Sequence, residues 1–178
     1  MSLIQVHDKW FQPYISQHEI STRVRDLAGI IKNDYSGKIP LFIPILNGSF
    51  MFASDLLKEM DMPVEICFIK LASYKGTVSS GRVVTAIGLD NDLFGRDVII
   101  LEDIVDTGKT LSRFLPQLLH QQPASLKICA LLYKPDAVVN PVPVDYFGFS
   151  IPNKFVVGYG LDYDGLGRNL KEIYQLVE

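Results

Sequence analysis

Cysteine is scarce: Cys67 and Cys129 are the only two, each inside an apolar run, Val64 to Leu71 and Leu126 to Tyr133. That setting predicts buried, reduced thiols rather than a disulfide, and 3 scattered histidines give no zinc-type spacing. Excess charge of one sign is also lacking. With 17 Lys and Arg against 20 Asp and Glu the formal net charge is −3, which excludes a general attraction to nucleic acid or anionic membrane and makes any phosphate binding local. Long hydrophobic runs are absent too. The longest uncharged stretch, Ile39 to Ser54, carries Pro40, Pro44, Asn47 and Gly48, and falls short of the roughly 18 consecutive apolar residues of a membrane span. No basic-then-apolar leader opens the chain, since Met1 to Trp10 mixes Gln5, His7, Asp8 and Lys9. The expected location is cytoplasmic. There is no repeat or low-complexity segment, and 178 residues with 48% hydrophobic content predict one compact domain.

What is present is an alternation of helical and strand patterns. Ser16 and Glu19 have capping-box spacing, and Ile20, Val24, Leu27 and Ile31 recur on one helical face until Gly37. Leu41 to Leu46 reads as a buried strand, with Pro44 expected near its end because proline breaks a central ladder. Phe52, Leu56 and Met60 mark a helix; Val64 to Tyr74 and Gly81 to Asp90 read as strands around a polar loop. Val98 to Asp103 is a strand, Leu111 to His120 its helix with Pro116 inside, and Leu126 to Tyr133 the next strand. A proline-rich connection from Pro135 to Pro152 follows, then short strands at Phe155 to Val157 and near Leu170 to Leu176. The pattern predicts an α/β fold, with a mostly parallel central sheet flanked by helices. The chain ends and residues from about 135 to 178 break the alternation and are assigned to a small cap over the C-terminal edge of the sheet.

The most informative stretch is Val98-Ile99-Ile100-Leu101-Glu102-Asp103-Ile104-Val105-Asp106-Thr107-Gly108-Lys109-Thr110. A β-branched run drops into two adjacent acids, then a third acid, then a small-residue turn opening a helix. In an open α/β sheet such a strand-to-helix junction is a ligand site, and free N–H groups at the helix start bind phosphate. The plainer reading makes Asp106 a helix cap and Glu102 and Asp103 solvated strand-end residues. Two acids directly behind four aliphatic residues weigh against it. A nucleotide-triphosphate loop needs glycine where this chain has Asp103, and a dinucleotide fingerprint beginning at Gly165-Leu166-Gly167 would need glycine where it has Leu170. Both motifs fail.

Two acids, two aliphatics and Asp-Thr-Gly-Lys-Thr resemble the phosphoribosyl diphosphate (PRPP) signature of type I phosphoribosyltransferases. Other segments resemble the hypoxanthine/guanine branch in order: Leu46-Asn47-Gly48-Ser49-Phe50, Ser73-Tyr74-Lys75-Gly76, Lys134, and Lys154 to Tyr159 followed by Leu161-Asp162-Tyr163. The resemblance spans residues from about 40 to 170. It implies the type I fold with a hood carrying the base pocket, and transfer of ribose 5-phosphate from PRPP to a purine.

By that resemblance Asp106, Thr107, Gly108, Lys109 and Thr110 cup the 5-phosphate, Glu102 and Asp103 contact the ribose, and Asp106 is the general base toward purine N7. Asn47, Gly48 and Arg168 bind diphosphate, although relatives commonly carry Lys or Arg where this chain has Asn47. Ser73 and Tyr74 open a lid. Phe155 stacks on the base, the main chain of Val156 and Asp162 reads its edge, and Lys134 donates to a 6-oxygen, favouring 6-oxopurines over adenine. The resemblance also implies Mg2+, with Glu102, Asp103 and Asp162 as candidate ligands, and a homodimer or homotetramer. Two other readings share the fold: a PRPP-sensing RNA-binding regulator, for which no basic stripe is visible, and an orotate or pyrimidine enzyme, disfavoured by Lys134 and the 154–159 segment.

Overall fold

Strands that read as unbroken aliphatic runs must be covered on both faces, and three of them form the centre of this molecule. In the computed structural model, which describes residues 2–72, 84–87 and 92–177, β3 (Leu41–Leu46), β7 (Asp97–Val105) and β8 (Ser125–Tyr133) lie side by side and parallel. The sheet continues outward through β5 (Ile69–Ala72) and the antiparallel β6 (Val84–Ile87) on one side, and β9 (Tyr146–Ser150) on the other. The two-residue β4 (Glu65–Ile66) pairs with the start of β3.

Helix α1 (Gln17–Asp34) begins at a full capping box, in which Glu19 N donates to Ser16 Oγ and Ser16 N to Glu19 Oε2. A cap of this kind is worth about 0.5–2 kcal/mol. Its face of Ile20, Val24, Leu27 and Ile31 packs with Phe52 and Leu56 of α2 (Phe50–Lys58) against Ile99, Leu101 and Leu131. Helix α3 (Lys109–Leu119) runs through Pro116 and buries Leu111, Phe114 and Leu118 on the opposite sheet face, against Val98, Ile100 and Ile128. Each such fully buried aliphatic or aromatic side chain contributes roughly 1.5–3 kcal/mol.

Pro44 sits inside the central strand, not near its end, with Leu101 as its partner on β7. The neighbour on its other side is broken instead. Phe42 pairs with Ile66 of β4 and Ile45 with Ile69 of β5, so the expected single strand from Val64 is split opposite Ile43 and Pro44. A residue without an N–H interrupts one ladder, and the interruption falls where two short strands meet. Two further differences concern the chain ends and the proline-rich connection. Tyr146–Ser150 is an edge strand of the main sheet, not part of the cap, and Gly148 lies so close to Leu131 that a Cβ would sit 2.5 Å from the Leu131 carbonyl. The N-terminal segment forms β1 (Ile4–Val6) and β2 (Lys9–Ile15), a hairpin the periodicity did not reveal.

That hairpin joins β11 (Ile173–Leu176) and β10 (Val156–Val157) in a separate four-stranded antiparallel sheet, order β1-β2-β11-β10. Phe11, Val6 and Val157 form its small core, with Tyr163, Leu170 and Tyr174 packed against them. The hood is therefore stitched from both chain ends.

Candidate active site

Strand β7 does not stop at the acids but continues to Val105. Glu102 and Asp103 therefore follow strand alternation and face opposite sides of the sheet. Glu102 shares its side with Ile100 and the α3 layer, and Asp103 with Leu101 and the α2 layer. Burial, and secondarily the charge of Asp103, pushes the Glu102 carboxyl well above the ordinary range. Asp103 accepts the N–H of Ile104 at 2.8 Å. Burial raises its carboxyl to about 6 against the pull of that hydrogen bond and of the Arg168 charge.

At the carboxyl end of β7 a cavity of about 260 Å3 opens, lined by Gly48, Glu102, Asp103 and every residue from Ile104 to Leu111. The turn at its rim is oriented by its carbonyls. Thr107 O accepts Val139 N at 3.1 Å and Asn140 N at 3.0 Å, while Gly108 O accepts Ser112 N at 2.9 Å. The opposite edge of the Thr107–Gly108 peptide, its N–H, is thereby turned away from the 139–140 segment. Gly108 has φ +74 and a Cβ there would collide with the Asn140 carbonyl, so both conformation and space demand glycine. Directly after it α3 starts, adding the positive end of a helix dipole.

Lys134, at the end of β8, is 5% exposed, and its ammonium reaches Asp106 Oδ2 at 3.2 Å. A buried ammonium needs a paired anion, and Asp106 supplies it while keeping its own side chain 45% exposed at the cavity.

The loop after β3 supplies the other wall. The Leu46–Asn47 peptide is cis, Asn47 is exposed, and Ser49 is fixed by its hydroxyl donating to Ile45 O at 2.7 Å. Gly48 lines the cavity, whereas Asn47 does not. From the hood, Asp162 and Arg168 meet in an ion pair at 2.8 Å, and Asp162 Oδ2 also accepts the N–H of Gly165 at 2.7 Å. Arg168 donates to the carbonyl of Gly160 at 2.7 Å.

Phe155 is 44% exposed and meets Phe11 and Tyr163 by tilted and edge-on contacts rather than by stacked faces. Val156 is buried in β10 opposite Gln175. Ser73 and Tyr74 lie outside the described residues.

The fold thus gathers Gly48, Glu102, Asp103 and the 106–110 turn around one cavity, with Lys134 joined to it through Asp106 and Arg168 through its field on Asp103. Sequence reasoning missed Asn140, whose backbone pins the turn, and the pair Asp55 and Tyr159, bonded at 2.7 Å. Neither signals itself by residue type; only the glycine at 108 hints that some backbone passes close.

Among the described residues no group of three or more His, Cys, Asp or Glu could cage a metal. A single carboxylate such as Asp162 is what a magnesium ion carried in by substrate phosphates requires, since that ion keeps waters and takes one or two protein oxygens. The donor set fits that mode and not an all-protein site.

A glycine turn opening a helix, paired acids on the preceding strand and a second sheet packed over them are the arrangement expected of a phosphoribosyl-transferring protein. The model of the phosphoribosyl transferase domain matches residues 14–164, and the chain belongs to that family. It is 44% identical over 157 residues to a hypoxanthine-guanine phosphoribosyltransferase of Lactococcus lactis, covering 88% of this chain and 85% of the relative. The enzyme of that name from Mycobacterium tuberculosis is 43% identical over 89% of this chain and 82% of its own. The crystal structure of a Bacillus anthracis hypoxanthine-guanine phosphoribosyltransferase, with HEPES in its active site, superposes with a TM-score of 0.86 at 36% identity, over 94% of this chain and 97% of that one.

Proposed function

We propose that this protein transfers ribose 5-phosphate from PRPP to a 6-oxopurine, hypoxanthine and guanine, releasing diphosphate. The observation that carries the reading is the Lys134–Asp106 pair at 3.2 Å. The 6-oxygen and N7 of such a base are neighbouring atoms on one edge of the ring. A lysine donor beside a carboxylate acceptor matches an oxo acceptor beside a protonated N7, and presents the wrong partner to the amino group of adenine.

The chemistry assigned to each residue follows from that pose. The turn 106–110 binds the 5-phosphate and orients the anomeric carbon, which supplies part of the barrier reduction by holding rather than by bonding. Asp106 accepts the N7 proton as the glycosidic bond forms. Glu102 and Asp103, both at the cavity though on opposite faces of β7, are assigned to the ribose hydroxyls, Phe155 offers a ring face to the base, and the main chains of Val156 and Asp162 read its position-2 edge. Gly48, Asn47 and Arg168 receive the leaving diphosphate. Asn47 does so with no side-chain charge, which leaves Arg168 as the cationic side chain assigned to that group. Ser73 and Tyr74 are assigned to a lid that keeps water from the sugar cation. Bound Mg2+ would neutralise the diphosphate as it leaves, with Asp162, rather than Glu102, Asp103 and Asp162 together, as the protein carboxylate that would hold it.

Incubating the protein with PRPP, MgCl2 and hypoxanthine or guanine should form the corresponding nucleoside monophosphate. Absence of product with every 6-oxopurine would sink the reading. A cytoplasmic location is proposed; separately, among the described residues no helix is long and apolar enough to cross a membrane. A homodimer or homotetramer is proposed as well, supported by the exposed apolar rings of Phe50 and Phe68. Sedimentation equilibrium checks it.

A further inference from the structure

The diphosphate group would lie between two parts of the molecule that belong to different sheets. Asn47 and Gly48 come from the loop between β3 and α2, and Arg168 from the hood. What holds the two halves at one spacing is visible in the 158–160 segment. Gly158, Tyr159 and Gly160 all have positive φ, at +102, +48 and +100. A Cβ on Gly160 would collide with the carbonyl of Gly48, so the hood backbone rests directly on the diphosphate loop. Arg168 is tied to the same residue twice, through Gly160 N donating to Arg168 O at 2.9 Å and Arg168 Nη1 donating to Gly160 O at 2.7 Å.

Tyr159 stands between these contacts. A non-glycine residue at positive φ persists only where its surroundings determine it, and here they do. Its ring is buried at 3% exposure, and its hydroxyl donates to Asp55 Oδ2 at 2.7 Å. Asp55 belongs to α2, whose first turn grows out of the diphosphate loop by way of Ala53 N donating to Ser49 O at 2.8 Å. The other oxygen of Asp55 is held by Lys58 at 3.0 Å. Burial, and after it the Asp55 hydrogen bond, keeps the Tyr159 phenol neutral and therefore a donor.

We propose that Asp55 and Tyr159 are positioning residues for diphosphate: their hydrogen bond sets the distance between the Asn47–Gly48 loop and Arg168, and with it PRPP affinity, without touching the substrate. The proposal rests on the phosphoribosyltransferase reading above. It assigns Asp55 a role that its place on an exposed helix turn, paired with Lys58, would not suggest.

The test uses Tyr159→Phe, which keeps the ring, Asp55→Ala, and Asp55→Asn, which keeps an acceptor oxygen. Losing one aligned hydrogen bond of this kind is worth about a factor of ten. Tyr159→Phe and Asp55→Ala should raise KM for PRPP and the calorimetric Kd of magnesium diphosphate about tenfold, with KM for hypoxanthine unchanged within about twofold. Asp55→Asn should restore both. Backbone amide exchange at Gly160 should quicken in Tyr159→Phe whatever the activity. Wild-type diphosphate affinity in Tyr159→Phe, equal losses for both substrates, or unchanged Gly160 exchange would overturn the proposal. A wild-type protein that neither turns over PRPP nor binds magnesium diphosphate would overturn the proposed function instead, and the exchange measurement would still decide the strut.

Discussion

The carboxyl of Asp103 lies directly beneath the Cα of Gly48, and a side chain on Gly48 would occupy the space of that carboxyl. The acid of the β7 strand and the glycine of the β3–α2 loop are thus one packed unit rather than two neighbouring motifs. Gly48→Ala must push the loop off the strand or turn Asp103 out of its place. Overpacking of this type costs on the order of 1–3 kcal/mol. The expected outcome is a lowered melting temperature and a raised KM for PRPP, with KM for hypoxanthine much less affected; thermal unfolding and steady-state kinetics check both.

The same burial gives Asp103 a signature in pH. Its folded carboxyl holds the proton up to about 6, against an ordinary value of 3.8, so between those values the native state binds more protons than the unfolded chain. Stability from this group is complete below about 3.8, and is lost as pH rises through about 6. Glu102, raised in the same direction, adds to the slope. Asp103→Asn has no charge to bury. It should melt higher than the wild type at pH 7, and the difference should shrink toward pH 4, each kcal/mol being worth about 2–4 °C at this chain length. A melting-temperature series from pH 4 to 8 without ligand measures it; a constant difference across that range would contradict the burial argument.

How much of this was legible beforehand depends on the range of the forces involved. The helix at Ser16, the buried strands and the 98–110 junction are written in local periodicity and capping, and the family motifs placed most residues of the cavity. The hood hairpin was not legible, because β2 is stabilised by pairing with Ile173–Leu176 at the far end of the chain and β1 by pairing with β2. Tyr146–Ser150 was hidden among prolines, and its strand exists because Gly148 lets it close on Leu131. Pro44 is an instance of tertiary context overriding a local rule, since the neighbouring strand breaks where the proline cannot pair. Strand alternation also continues two residues further than the residue types implied, to Val105, which is why Glu102 and Asp103 part to opposite faces.

Asp106 is the acceptor for the purine proton in the proposed reaction, and Asp106→Asn separates that role from binding. The amide keeps an oxygen for the Lys134 ammonium but cannot take up a proton at pH 7. Losing a general base typically costs about 10²–10⁴ in rate. The turnover number should fall by that order, while the PRPP dissociation constant, measured by calorimetry, stays within about threefold. An equal loss in PRPP affinity would limit Asp106 to its place in the phosphate turn and leave the base unidentified.

Lys134→Met tests the reading of the base edge. Methionine fills a similar volume without a donor, and Asp106 at 45% exposure can be hydrated when its partner is gone, so the fold should survive. A site built to hydrogen-bond a polar group discriminates strongly against analogues that lack the partner. Removing the donor should therefore lower kcat/KM for hypoxanthine and guanine by at least about 10²-fold and leave PRPP affinity nearly intact. The ratio of 6-oxopurine to adenine turnover should shrink, because the donor that met the oxo group and clashed with the amino group is absent. Steady-state rates over hypoxanthine, guanine and adenine decide it. An unchanged base ratio would mean that the 3.2 Å Lys134–Asp106 pair holds the strand ends together and reads nothing.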